Sequence, residues 1–152
     1  MGANSSYNPE LGGVPEMART HKDTEQRIDG HKIIVQKIVP QQVQVPMKSN
    51  SDSPIYLCAR TLKGKEGKYE IASIGIYKDH KIIGQIDLNP NKMGNIRPYS
   101  PDGKGMHYHN FSENGGGSMG RKSGDRNNHH PIPPQYQSLV DKIIEYNKKQ
   151  RE

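Results

Sequence analysis

Apolar residues in this chain fall into short runs separated by polar, turn-forming stretches, and the runs follow two different periods. The run His31-Lys-Ile-Ile-Val-Gln-Lys-Ile-Val39 is rich in β-branched side chains and stops at Pro40, which has no N–H to give to a ladder, so a strand is expected there. Residues 55–61 form a second apolar run, bounded by Pro54 and by the Gly-Lys cluster at Gly64 to Gly67. Tyr69, Ile71 and Ser73, with Ile74 and Ile76 offset from them, alternate imperfectly, and after Lys78-Asp-His80 another β run covers residues 81–88. This pattern predicts an antiparallel hairpin. At the far end Tyr136, Leu139, Val140, Ile143 and Ile144 recur at helical spacing behind Pro133-Pro134. Lys142, Lys148, Lys149 and Arg151 suit the C-terminal end of that helix, where the backbone carbonyls favour positive charge.

The remainder is punctuation. Residues 1–30 are polar, Gly- and Pro-broken and without period, which reads as an arm preceding a single domain over 31–152. Residues 89–134 also lack periodicity, yet a stretch of that length inside a compact domain is rarely idle. The expected fold is α+β: an antiparallel sheet of about four strands over 31–88, a long Gly/His-rich loop, and a C-terminal amphipathic helix packed on one sheet face. With 152 residues, of which 30% are hydrophobic, the core must be small.

Charge narrows the partners. Twenty-two Lys and Arg against 16 Asp and Glu give a formal net charge of +6, which favours a phosphate-bearing ligand such as RNA or a nucleotide. Cys58 is the only cysteine and sits in an apolar run, which excludes an intrachain disulfide and a thiolate metal cluster and suits a reducing compartment. No run is long enough for a membrane span, and the polar start Met1-Gly-Ala-Asn-Ser-Ser lacks the blocks of a secretory signal, so the cytoplasm of a bacterial host is the expected location. The same start matches the short pattern for acylation at Gly2, without the second signal that stable anchoring requires.

Four of the seven histidines, His107, His109, His129 and His130, lie in the long loop with Arg97, Tyr99, Arg121 and Lys122. Histidine titrates near neutrality and binds metals as the neutral ring, so the cluster marks a candidate site. In an extended His107-Tyr-His109 both rings share one face. With His129 or His130 and a carboxylate such as Asp87, Asp102 or Glu113, the pair would hold a divalent metal ion with an open position for water. Alternatively, His107, His109 and His130 would act as acid and base on a phosphodiester, with Arg97, Arg121 and Lys122 contacting phosphate and Tyr99 and Tyr108 stacking on bases. Gly115-Gly-Gly-Ser-Met-Gly-Arg-Lys-Ser123 imitates a phosphate loop, but Arg121 interrupts the Gly-Lys step and no apolar strand precedes it.

Taken together, Ile74-Gly-Ile-Tyr77, the short charged turn, Ile86-Asp-Leu88, the Gly-rich step, His107-Tyr-His109 and the Lys-rich closing helix resemble small prophage proteins of Gram-positive bacteria. Those are encoded near head-morphogenesis genes or appended to Mu F-like minor head proteins and polymorphic toxins. The likeness covers residues 70–150; such proteins carry Pro-His-x-His where this chain has Gly105-Met-His107-Tyr-His109. It implies a phage- or mobile-element-encoded effector. Three functions are compatible with the residues: action on RNA or another phosphodiester, non-catalytic sequestration of a nucleotide signal of host defence by a homo-oligomer, and a role in the virion or head assembly.

Overall fold

The computed structural model describes residues 16–38, 43–113, 119–121 and 129–152. In chain order it has α1 (Glu16–Thr20), β1 (His21–Ile28), β2 (His31–Gln36), β3 (Ile55–Thr61), β4 (Tyr69–Lys78), β5 (Lys81–Asp87), β6 (His107–Glu113), β7 (Met119–Arg121) and α2 (Gln137–Arg151). A 3-10 turn over Pro134–Tyr136 leads into α2. The class is α+β, and the strands lie side by side in the order β1 to β7.

The sheet departs from the expected four antiparallel strands. Six main strands form it, with the three-residue β7 on the edge of β6, and it is mixed because β2 and β3 run parallel with Ile33 opposite Leu57. A parallel pair needs a crossover of a dozen residues or more, and residues 37–54 supply it. Val43, Val45 and Met47 of that crossover pack on the sheet, Met47 accepts a hydrogen bond from the Ile82 N–H, and the Tyr77 hydroxyl donates to the Pro46 carbonyl.

The sheet also begins earlier than residue 31. β1 pairs antiparallel with β2 through Asp29-Gly30, whose φ angles of 53° and 80° make the left-handed two-residue turn that suits the strand twist. In β1 only His21 is buried, so the strand carries its charges on an open edge.

Both faces of the sheet centre are covered, so β3 and β4 are buried along most of their length. On one face Ile33, Leu57, Ile71, Ile74 and Ile86 pack against Leu139, Val140 and Ile143 of α2. On the other, Met17, Ile34, Tyr56, Cys58, Tyr77 and Ile82 meet the crossover segment and Phe111. Burial pushes the Cys58 thiol up to about 12, so it is an inert apolar filler. β5 ends opposite Ser73, and beyond that point the Asn147 side chain of α2 accepts from the Ile71 N–H and donates to the Ile71 carbonyl, both at 2.9 Å. Among the described residues no helix is long and apolar enough to cross a membrane.

Candidate metal centre

β6 lies antiparallel to β5 with Asp87 opposite His107, Ile86 opposite Tyr108 and Gln85 opposite His109. Opposed residues share a sheet face and successive residues alternate, so His107 and His109 project on the face of Asp87. Tyr108 projects with Ile86 into the core under α2, its ring over Gly84, where an added Cβ would stand 2.5 Å from the Tyr108 hydroxyl. The loop of the sequence expectation is therefore partly a strand, with the histidines on its buried face.

The third histidine comes from the opposite edge of β6. Tyr108 and His130 exchange backbone hydrogen bonds of 2.8 and 3.1 Å, which sets His130 on the face of Tyr108 and its neighbour His129 on the face of His107 and His109. The trio is thus His107, His109 and His129, and His130 stands apart from it. One ring nitrogen from each of the three lies within 4.8 Å of the other two. The ring centroids are 4.6 Å (His107 to His129), 4.8 Å (His107 to His109) and 5.5 Å (His109 to His129) apart, edge to face. His107 and His109 are 4% and 2% exposed, and His129 is half-buried.

Hydrogen bonds fix the tautomer of two rings. His107 Nδ1 donates to the Gly105 carbonyl at 2.8 Å and His129 Nδ1 donates to the Pro101 carbonyl at 3.3 Å. A carbonyl only accepts, so each neutral ring keeps its lone pair on Nε2, an arrangement that histidines use in metal sites. Asp87 Oδ2 stands 3.7 Å from His107 Nε2, while Asp87 Oδ1 accepts from the Asn89 N–H at 2.9 Å. A carboxylate oxygen and an imidazole lone pair at that separation repel unless a cation, proton or metal, lies with them. Protonating three touching imidazoles would add charges of one sign, whereas a single divalent ion would satisfy all three nitrogens and leave the Asp87 carboxylate beside it as counter-charge.

The loop before β6 is strapped around the trio. The Tyr99 hydroxyl donates to the His129 carbonyl at 2.7 Å, and Asn89 donates to the Gly103 and Lys104 carbonyls, both at 3.1 Å. Asp102 accepts from the Lys104 N–H, and that bond together with the Ser100 hydroxyl holds its carboxyl below the usual 3.8. Gly103 has φ +77°, and the His129 ring packs where its Cβ would be, 2.6 Å away. At Gly105 a Cβ would stand 1.9 Å from the Pro98 carbonyl oxygen. Neither position accepts a side chain without moving the loop.

The other expected site residues divide as follows. Tyr99 positions His129 through its hydroxyl, Tyr108 belongs to the core, and Arg97 is exposed while its carbonyl accepts from Met106 N–H. Arg121 pairs through its backbone with Phe111 in β7, and Glu113 closes β6 opposite Met119. Lys122 lies outside the described residues. Away from the trio, His21 Nε2 donates to the Gln44 carbonyl and His80 sits 3.4 Å from Asp52 at the β4–β5 turn. Comparison of the chain with protein-family models, with curated proteins and with solved structures returns no match.

Proposed function

We propose that this chain is a metal-dependent phosphodiesterase acting on RNA or another phosphodiester, with one divalent ion held by His107, His109 and His129. The observation that carries this is the convergence of three imidazoles from two separate segments, two of them with Nδ1 committed to backbone carbonyls. Ligand nitrogens 2.0–2.1 Å from a zinc ion stand about 3.3 Å apart, and the three here lie within 4.8 Å of one another. Three protein ligands would leave a position for water, and the ion would supply the Lewis acidity that lowers the pKa of that water toward neutrality. Asp87, on the lone-pair side of His107, would accept the proton given up by the water. Attack of the water oxygen on phosphorus would break the ester P–O bond, with the departing oxygen protonated from solvent.

The net charge of +6 favours an anionic substrate over a peptide or a neutral sugar. The likeness to prophage proteins supports reading such hydrolysis as that of a mobile-element effector, which would act in a bacterial cytoplasm. Metal-stripped protein should cleave labelled RNA only after addition of Zn²⁺ or Mn²⁺, and chelation should abolish the cleavage. His107→Gln and His129→Gln should each cost at least about 10²-fold in rate. Absence of turnover on RNA, DNA and cyclic nucleotides with every divalent ion tried would remove the enzyme assignment and favour nucleotide sequestration.

A further inference from the structure

A second feature lies at the other end of the same sheet. The end of β3, the turn after it, Lys92 and the last turn of α2 form an open cavity of about 570 Å³ lined by Arg60, Lys63, Lys65, Lys92 and Arg151 among others. Five cations around one concavity repel one another, so the arrangement requires counter-charge. Glu70, wholly buried, supplies part of it: Arg60 gives Nε and Nη2 to Oε1 at 3.1 and 2.7 Å, and Arg151 gives Nε and Nη2 to Oε2 at 2.8 and 2.7 Å. Lys65 Nζ donates to the carbonyls of Arg151 and Glu152 at 2.5 and 3.2 Å. Among the described residues Lys63 and Lys92 form no ion pair. One carboxylate thus fixes two guanidinium groups side by side while each keeps its Nη1 donors for another acceptor, and the charge in the cavity stays strongly positive.

Between the cavity and the histidine cluster lies a second hollow. This smaller concavity of about 230 Å³ shares Arg60 with the cavity at one end and includes Ser73 and Asp87 at the other, and Asp87 is the residue beside His107. Cys58, Ser73, Asp87 and His107 are successive partners across β3, β4, β5 and β6, which puts roughly 14 Å, three strand spacings, between the β3 side of this row and His107. A single phosphate cannot occupy both sites. No aromatic side chain lines the basic cavity, so it offers charge without a stacking surface.

We propose that this basic cavity is a backbone-binding subsite for single-stranded nucleic acid: Arg60, Arg151, Lys63 and Lys92 hold phosphates of the strand whose scissile diester lies at the histidine cluster. The proposal rests on the phosphodiesterase assignment for the second half of that sentence only. Recognition by charge alone makes binding indifferent to sequence and sensitive to salt.

Binding of a fluorescent 12-nucleotide RNA to the full chain, followed by anisotropy over a series of salt concentrations, tests it. Lys63→Glu/Lys92→Glu breaks no ion pair of the fold and should weaken binding tenfold or more while lowering the salt slope by about 1.4, two phosphates at about 0.7 each. Lys22→Glu/Lys78→Glu, with the same change in net charge elsewhere on the sheet, should leave the slope within error of the parent. Equal losses in the two double variants would overturn the subsite, as would poly-glutamate competing as well as RNA of equal charge. Loss confined to Lys63→Glu/Lys92→Glu in a protein that cleaves nothing would uphold the subsite and reject the enzyme. Cleavage of RNA that is untouched by the same variant would do the reverse.

Discussion

At the scale of single residues, the site turns on which of two adjacent histidines faces the cluster. His129 and His130 are equivalent in sequence, and only the pairing of His130 with Tyr108 decides the matter, because alternation then sends His129 to the face of His107 and His109. That pairing joins segments more than 20 residues apart, so no local pattern reveals it; the His-x-His spacing, in contrast, was legible because it lies within one strand. Asp87 was recognisable as a nearby carboxylate in sequence, but so were Asp102 and Glu113, and the β5–β6 register separates them. His129→Gln should therefore lower affinity for Zn²⁺ by at least about 10²-fold, while His130→Gln changes it by less than threefold. Isothermal titration of the two metal-free variants checks this, and equal losses would mean that the trio is wrongly drawn.

At the scale of elements, the terminal helix and four of the strands, β2 to β5, were legible because their buried faces are written in Ile, Val and Leu. β6 was hidden because the residues at its alternating buried positions include His107 and His109, which count as polar in any hydrophobic pattern. β1 was hidden because an edge strand buries little, although Asp29-Gly30 is a strong local hairpin signal. The parallel β2–β3 pair could not be read at all, since the crossover carries no periodicity. The join between α2 and β4 rests on Asn147, 2% exposed, whose amide satisfies both backbone groups of Ile71. Asn147→Ala leaves a buried donor and acceptor without partners and should cost about 2–4 kcal/mol. Urea denaturation measures that loss, and a change below about 0.5 kcal/mol would show that water replaces the amide without penalty.

At the scale of the whole molecule, α2 seals one face of the sheet and the crossover seals only part of the other, so the uncovered end of that second face is where polar chemistry gathers. The histidine cluster and Asp87 lie along this end, and the Arg60–Glu70–Arg151 network lies toward the other end of the sheet, both held by strands whose register the apolar core fixes. The cluster binds β6 to the segment at His129, and a ligand that prefers the folded state stabilises it by about 2.7 kcal/mol at a hundred times its dissociation constant. Under the proposed function, an ion bound by the trio would support both the chemistry and the stability of this edge. X-ray absorption at the zinc edge, on protein loaded with one equivalent of Zn²⁺, tests it most directly. The expected spectrum has three imidazole nitrogens and one oxygen neighbour at about 2.0–2.1 Å, and loses one imidazole in His129→Gln but none in His130→Gln. A spectrum with fewer than two imidazoles, or one unchanged in His129→Gln, would contradict the assignment of His107, His109 and His129 as a metal centre.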